Sequence, residues 1–181
     1  MRSERQPPPH GGAAYGAAVA SRSSGGGSRP RSVNHSSIVS GHTNGHIAYH
    51  LPDDGIAFVG DSVFALGCGR MFEGTPEQFW SALQRIKALP ADITLYCAHE
   101  YTAANAKFAL HADPDNAELQ AYVAEVDAKR AEGEPTVPTR LDQELATNPF
   151  LRADDPAMQA RWGGDAPHET FAALRAAKDA F

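Results

Sequence analysis

The pattern of hydrophobic and polar positions changes sharply near Ile38, where short apolar runs begin. The runs HIAYHL and GIAFVG are separated by PDDG, a strong turn signal, and predict a hairpin with strands at 46–51 and 55–60. A later apolar run, ITLYCA, predicts a buried strand that ends just before His99. With one helix between them, these strands give the order β–β–α–β, which indicates a layered α/β arrangement.

Helical periodicity accounts for most of the remaining chain. The segment TPEQFWSALQRIKAL has Thr75 at the N-cap, Pro76 at the first helical position and apolar residues at helical spacing, and Pro90 follows its end. From Thr102 onward the pattern is helical with loops. Five further helices are predicted, in TAANAKFALHA, in NAELQAYVAEVDAKRAEG and near 139–147, 155–162 and 167–179.

Residues 1–38 are rich in Pro, Gly, Ser and Arg and contain almost no large aliphatic residues. Such a segment cannot bury enough apolar surface to offset the entropy lost on ordering, so we predict a disordered leader. Its arginines and serines faintly resemble an organelle transit peptide, but QPPPHGG interrupts any amphipathic helix. A leader without a targeting role is the favoured interpretation, and organelle targeting is the alternative.

Charge and cysteine usage exclude several classes of protein. The net charge of −6 argues against a nucleic-acid-binding protein. No window reaches the roughly 18 consecutive apolar residues that a membrane span requires. Cys68 and Cys97 lie within apolar runs, where small buried thiols are expected rather than a disulfide framework. We therefore expect a cytoplasmic protein with no membrane partner, monomeric unless it aggregates.

Three potential metal ligands lie at junctions between loops and strands. His42 is in a Gly-His-Thr turn before the first strand, Asp61 follows AFVG, and His99 follows LYCA. Side chains at such junctions can converge at one edge of a sheet, and imidazole with carboxylate suits zinc, iron or manganese. Taken singly, each has an ordinary explanation as a core histidine, an exposed histidine or a turn aspartate.

Six motifs together resemble the second half of glyoxalase II, the hydroxyacylglutathione hydrolase of the metallo-β-lactamase superfamily. They are SGHTNGHIAY, FVGDSVFALGCGRMFEGT, LYCAHEYTAANAKFA, GEPTVPT, NPFLR and LRAAKDAF, and they occur in the family's order and spacing from about residue 38 to residue 181. The resemblance implies hydrolysis of S-D-lactoylglutathione to D-lactate and glutathione at a binuclear metal centre. That centre usually holds two zinc or iron ions, with manganese as a further option.

The resemblance also implies roles for individual residues. His42 matches a histidine on the first metal, Asp61 the carboxylate that bridges both metals, and His99 a histidine on the second metal. His46 matches a position that is not counted as a ligand, and we interpret it as supporting the ligands or the fold. Five residues match positions near the glutathione moiety: Arg70, Phe72, Tyr101, Arg175 and Lys178. Phe72 replaces a tyrosine of some relatives and would lack that hydroxyl contact.

One part of the family pattern has no counterpart in this sequence. The superfamily motif H-x-H-x-D-H supplies four of the seven ligand positions, and His10 and His35 are isolated in low-complexity sequence without ligand spacing. We therefore expect a truncated chain with impaired activity and an apolar sheet face that favours aggregation. We also expect weak or no binuclear metal binding, with any residual site mononuclear at best. The alternatives are a non-catalytic module that binds glutathione thioesters and an unstable fragment.

The predicted fold class is α+β. We expect a partial metallo-β-lactamase αββα sandwich, represented by its second half, followed by an all-α C-terminal domain. The predicted domains are a leader at 1–38, a partial metallo-β-lactamase-like domain at 39–114 and a helical domain at 115–181 that binds the glutathione thioester.

Overall fold

A single sheet and six helices make up the computed structural model, which describes residues 35–181. The sheet has five strands in sequence order, β1 to β5, and all of them lie within one unit that spans residues 31–181. The strands are β1 (His35–Ile38), β2 (Ile47–Leu51), β3 (Ile56–Gly60), β4 (Thr94–Cys97) and β5 (Thr139–Arg140). Only β3 and β4 are parallel, and every other neighbouring pair is antiparallel.

The predicted hairpin and first helix are confirmed. Strands β2 and β3 pair antiparallel, with Tyr49 opposite Phe58. Helix α1 (Pro76–Lys87) begins at a capping box, in which the side chains and backbones of Thr75 and Gln78 bond each other reciprocally. Helix α1 connects β3 to the parallel strand β4, as a crossover connection requires.

The sheet buries one face against α1 and exposes the other. Alternate positions on β2, β3 and β4 are buried with the apolar side of α1: Ala48, Ala57, Val59 and Leu95 with Phe79, Leu83 and Ile86. The intervening residues point to the opposite face. Strand β4 was predicted to be buried throughout, but Tyr96 is 39% exposed. The sheet is therefore covered on one side only within the described part of the chain.

The helices after β4 agree with the sequence pattern, with two differences. They are α2 (Thr102–Ala112), α3 (Ala117–Ala131), α4 (Leu141–Thr147), α5 (Pro156–Trp162) and α6 (Pro167–Ala180). Thr139 and Arg140 do not begin a helix, because they pair with β4 as β5. The last four residues of the predicted leader form β1, whereas its residues 1–34 lie outside the described residues. The domain boundary at 114/115 stays a prediction.

Helix α6 returns to pack against α1, and α2 packs against α3. Phe171 on α6 contacts Phe79 on α1 edge to face, with ring centroids 5.3 Å apart. This packing brings the C-terminal segment back beside the residues that follow β3. Among the described residues, no helix combines the length and the apolar character that crossing a membrane requires.

The exposed face of the sheet carries a continuous apolar row across three strands. Tyr49, Phe58 and Tyr96 are directly opposite one another in the ladder, and the rings of Phe58 and Tyr96 lie 5.2 Å apart. Each of the three is more than a third exposed. Exposed apolar rows on a sheet promote association between molecules.

We expect the double substitution Phe58→Thr and Tyr96→Thr to reduce self-association while changing the free energy of unfolding by only about 1 kcal/mol, since threonine suits an exposed strand. Light scattering against protein concentration measures the first effect, and urea unfolding measures the second. Phe72→Thr is the control, because Phe72 is 67% exposed but lies off the sheet. Equal scattering from all three proteins would show that the row does not drive association.

Candidate metal and substrate site

The parallel pairing of β3 and β4 brings Asp61 and His99 together. The two strands end side by side, with Gly60 opposite Cys97, and the Ala98 N–H donates to the Gly60 carbonyl at 3.1 Å. Asp61, one residue past Gly60, and His99, two residues past Cys97, then lie at the same edge of the sheet. His99 Nε2 is 3.3 Å from Asp61 Oδ1, so an imidazole and a carboxylate meet where the sequence placed two ligands.

His42 enters from the turn before β2 and has a defined ring orientation. Its Nδ1 is 2.9 Å from the Arg70 carbonyl oxygen, and because a carbonyl only accepts, Nδ1 must carry the proton. Nε2 then keeps its lone pair, which is the form that binds a divalent cation. Phe72 packs edge to face on the His42 ring at 5.1 Å, and its N–H donates to the His42 carbonyl.

His46 supports two of the predicted ligands. Its Nε2 accepts the Asp61 backbone N–H at 3.1 Å, and its ring lies edge to face with His42 at 5.8 Å. Gly60 has a φ of +55°, and a β-carbon there would lie 2.5 Å from His46 Nε2. The imidazole therefore fills the space that the missing side chain leaves, and it holds the backbone from which Asp61 projects.

These residues line one cavity of about 480 Å³. It contains all three predicted metal ligands and all five predicted substrate residues: His42, Asp61, Arg70, Phe72, His99, Tyr101, Arg175 and Lys178. His46 does not line the cavity and lies behind its wall. The sequence positions involved span β3, β4 and α6, and the fold alone brings them together.

Three cations give the cavity an anion-binding character. Arg175 on α6 is 5% exposed and donates from Nη1 to the Cys68 carbonyl at 3.1 Å, while its Nε has no hydrogen-bond partner in the described structure. Asp179 accepts from Arg175 Nη2 at 2.9 Å and lies 3.6 Å from Arg70 Nε. Burial, together with the nearby Arg175 charge, lowers the pKa of Lys178. Carboxylates are the natural ligands of such a group.

Aromatic rings form the opposite wall. Tyr101 stacks on His99 with centroids 4.9 Å apart, and Phe64 meets Tyr101 edge to face at 5.3 Å. Sequence reasoning missed Phe64, Gly69 and Asn105, which also line the cavity. Gly69 belongs to the GCGR motif, which signals a close backbone approach. Asn105 resembles any polar helix residue, and its contact with the Ala65 carbonyl at 3.1 Å becomes visible only in the fold.

The chain beside His99 is held by an adjacent carboxylate. Glu100 accepts hydrogen bonds from the Thr136 N–H at 2.9 Å and from the hydroxyls of Thr136 and Thr102. Burial acts to raise the pKa of Glu100, but the Thr136 and Thr102 hydrogen bonds outweigh it and lower that pKa. The carboxylate anchors the connector before β5 to the start of α2, between His99 and Tyr101.

Neither cysteine has the character of a nucleophile. Cys68 lines the cavity, but burial raises the pKa of its thiol to about 11, despite the neighbouring Arg175. Burial also raises the pKa of Cys97, whose thiol donates to the His99 carbonyl. Both thiols are therefore protonated at neutral pH. Cys68 is buried as predicted, whereas Cys97 is only partly buried.

The donor types fit a divalent cation. Two imidazoles and a carboxylate face one cavity, and this set suits zinc, iron or manganese. Within residues 35–181, however, histidine, cysteine, aspartate and glutamate side chains do not gather into a group of three or more around one cation position. His99 and Asp61 form a close pair, and His42 stands apart from it.

Comparisons with known proteins place two regions of the chain in known families. The family model for the metallo-beta-lactamase superfamily matches residues 26–99, and the model for the hydroxyacylglutathione hydrolase C-terminus matches residues 100–181. The chain is 78% identical to a hydroxyacylglutathione hydrolase of Erythrobacter litoralis over 143 residues, which cover 79% of this chain and 57% of the relative. A Maricaulis maris relative of the same name is 61% identical, and the matched residues cover 78% of this chain and 56% of the relative.

Solved structures are more distant. A metallo-beta-lactamase from Staphylococcus aureus aligns with a TM-score of 0.44 at 19% identity, covering 79% of this chain and 38% of that one. ETHE1 from Myxococcus xanthus aligns with a TM-score of 0.41 at 21% identity, covering 79% of this chain and 52% of that one. The chain spans about 57% of the length of the curated relatives that it matches. The two family models together cover residues 26–181, and they match this chain to the C-terminal part of the hydroxyacylglutathione hydrolases within the metallo-beta-lactamase superfamily.

Proposed function

We propose that the cavity is the glutathione-thioester site of a hydroxyacylglutathione hydrolase. The observation that carries this proposal is the convergence of all eight predicted metal and substrate residues on one cavity. The proposed reaction is hydrolysis of S-D-lactoylglutathione to D-lactate and glutathione. The superfamily implies a divalent metal, and zinc, with iron as the alternative, is our proposal for its identity.

His42, Asp61 and His99 are the residues that would hold the metal. When bound, a divalent metal supplies a nucleophile at neutral pH and stabilises negative charge on the thioester oxygen. The protein contributes orientation to this chemistry. The Arg70 carbonyl holds the proton of His42 on Nδ1, and His46 holds the Asp61 backbone. Tyr101 and Phe64 cover the His99 ring on its cavity side.

Arg70, Arg175 and Lys178 are proposed to bind the glutathione moiety. Glutathione carries two carboxylates, which require cationic partners when they leave water. Within residues 35–181, Arg175 offers a buried Nε without a hydrogen-bond partner, and Lys178 Nζ contacts the Ala104 carbonyl at 3.3 Å and the Phe108 ring. Phe72 lies over His42 and supplies an apolar contact rather than a hydroxyl.

A second function, binding without hydrolysis, is favoured by the composition of the cavity. Five lining residues suit the substrate, whereas only His99 and Asp61 form a close ligand pair. Such a module would bind glutathione or its thioesters and release them unchanged.

Lys178→Met is expected to weaken binding of S-methylglutathione by roughly 10- to 150-fold, because it removes one charge-assisted contact of about 1.5–3 kcal/mol. Isothermal titration calorimetry measures this change. Lys129→Met, at an exposed position of α3, is the charge-matched control and should bind like the unchanged chain. Equal affinity of all three proteins would rule out the assigned substrate site.

Elemental analysis and a hydrolysis assay on the same sample separate the two functions. Bound metal with turnover that Asp61→Asn abolishes supports the hydrolase. Binding of S-methylglutathione without metal or turnover supports the second function. Absence of both binding and turnover in folded protein overturns both.

A further inference from the structure

The turn that carries His42 is held by the segment 70–74, which lies directly before α1. Three hydrogen bonds connect the His42 turn to the segment 70–74. His42 Nδ1 donates to the Arg70 carbonyl at 2.9 Å, and the Phe72 N–H donates to the His42 carbonyl at 3.3 Å. The third joins the Asn44 N–H to Glu73 Oε2 at 2.8 Å. Two of these bonds use backbone atoms of the segment, and the third uses a side chain.

Glu73 lies in a segment that is anchored by helix α1. Two residues later, Thr75 forms the capping box of α1 with Gln78, and α1 packs through Phe79, Leu83 and Ile86 into the core. The segment 70–74 is therefore anchored at its C-terminal end. Opposite it, the His42 turn is exposed only at Asn44 and Gly45. Its internal bonds are short-range, such as Ser40 Oγ to the Asn44 carbonyl at 2.6 Å.

A carboxylate that accepts a backbone N–H makes a charge-assisted bond, which is stronger than a neutral one. Asn44 is two residues after His42, so this bond fixes the turn on the C-terminal side of the histidine. The Arg70 and Phe72 bonds fix the histidine itself. Removing Glu73 takes away the bond that ties Asn44 to the 70–74 segment, and a ligand displaced by even part of an ångström binds metal poorly.

We propose that Glu73 is a positioning residue for His42, acting through the Asn44 N–H to hold the turn in the orientation that presents Nε2 to the metal. The role concerns this chain's own geometry, and its relevance to catalysis rests on the proposed function. Nothing in the FEGT stretch of the sequence distinguishes Glu73 from an ordinary exposed glutamate, so only the fold reveals this contact.

The test compares Glu73→Ala, Glu73→Gln and the control Glu125→Ala, which removes an exposed glutamate on α3. Amide exchange of Asn44 and the ring-nitrogen shifts of His42 are measured by NMR without metal. Glu73→Ala is expected to accelerate Asn44 exchange by about tenfold or more and to mix the two His42 tautomers. Glu73→Gln retains an acceptor oxygen and should restore most of the protection. Glu125→Ala should match the unchanged chain.

Zinc affinity, measured by competition with a chelator, is the third readout. Supporting residues typically alter metal affinity by about 10–100-fold, and we expect a loss of about tenfold for Glu73→Ala. Unchanged Asn44 exchange and an unchanged His42 tautomer in Glu73→Ala would overturn the proposal. Absence of zinc binding in the unchanged chain would instead contradict the proposed function, because the two NMR readouts require neither metal nor substrate.

Discussion

Gly69→Ala is expected to destroy the shared geometry of His42 and Asp61. A β-carbon at Gly69 would lie 2.1 Å from the Asp61 carbonyl oxygen and 2.9 Å from His42 Nδ1. The first obstacle is backbone at the end of β3, which cannot rotate away as a side chain could. We expect a loss of about 1–3 kcal/mol in the free energy of unfolding, as overpacking typically causes. Affinity for S-methylglutathione should fall at least about tenfold, since Gly69 lies in the cavity wall between the two ligands.

Gly45→Ala is the matched control for this substitution. Gly45 lies in the His42 turn, and a β-carbon there would meet no atom within 4 Å. Urea unfolding and titration calorimetry should therefore find Gly45→Ala close to the unchanged chain. If Gly69→Ala and Gly45→Ala gave the same unfolding and binding curves, the close approach at Gly69 would have no functional consequence.

The local sequence pattern alone indicated the three candidate metal ligands, which lie at junctions between loops and strands. His42, Asp61 and His99 each border an apolar run, and the crossover rule for β3 and β4 is enough to bring the last two together. The hairpin and α1 were also predictable, because PDDG and the Thr75 cap are local signals. The four strand residues of β1 were not, since their polar composition gives no strand pattern.

Contacts between distant segments could not be predicted. Glu144 is a polar residue in a short helix, and nothing local distinguishes it from a solvent-exposed acid. The fold buries it completely and makes it the acceptor for groups from three segments. Leu66 likewise has a φ of +59°, an uncommon conformation for leucine, within the turn that follows β3. Its N–H donates to Glu144 Oε2 at 2.8 Å, so the strained turn and the buried acid support each other.

Glu144 holds the 64–67 turn, which forms part of the wall of the cavity. Thr139 Oγ1 donates to Oε1 at 2.7 Å, and Asn148 Nδ2 donates to Oε2 at 2.9 Å and to the Gly67 carbonyl at 2.9 Å. Glu144→Ala would leave the Leu66 N–H buried without its acceptor and open a cavity in the core. Each unsatisfied buried group costs about 1–3 kcal/mol, so we expect a total loss of about 3–5 kcal/mol in urea unfolding.

Glu144→Gln is expected instead to preserve the network and to remove a pH dependence. Burial raises the pKa of Glu144 from the ordinary 4.5 to about 7, although hydrogen bonds from Thr139, Leu66 and Asn148 oppose the rise. The folded state therefore binds a proton that the unfolded state releases between these pH values. The stabilisation that this bound proton gives the folded state is fully present below about pH 4.5. It is lost as the pH rises through 7, which lowers the free energy of unfolding by about 3 kcal/mol in total.

The amide of glutamine reproduces the protonated acid. Its carbonyl oxygen can accept from Leu66 and Asn148, and its NH₂ can donate to Thr139, whose hydroxyl reverses its role. Glu144→Gln should thus match the unchanged chain near pH 5 and become the more stable protein by up to about 3 kcal/mol near pH 8. Urea unfolding of both metal-free proteins from pH 5 to pH 8 measures the difference between their free energies of unfolding. The contributions of the acids that both proteins share cancel in this difference. Parallel stability curves would show that Glu144 is ionised throughout, with its three hydrogen-bond donors outweighing the cost of burial.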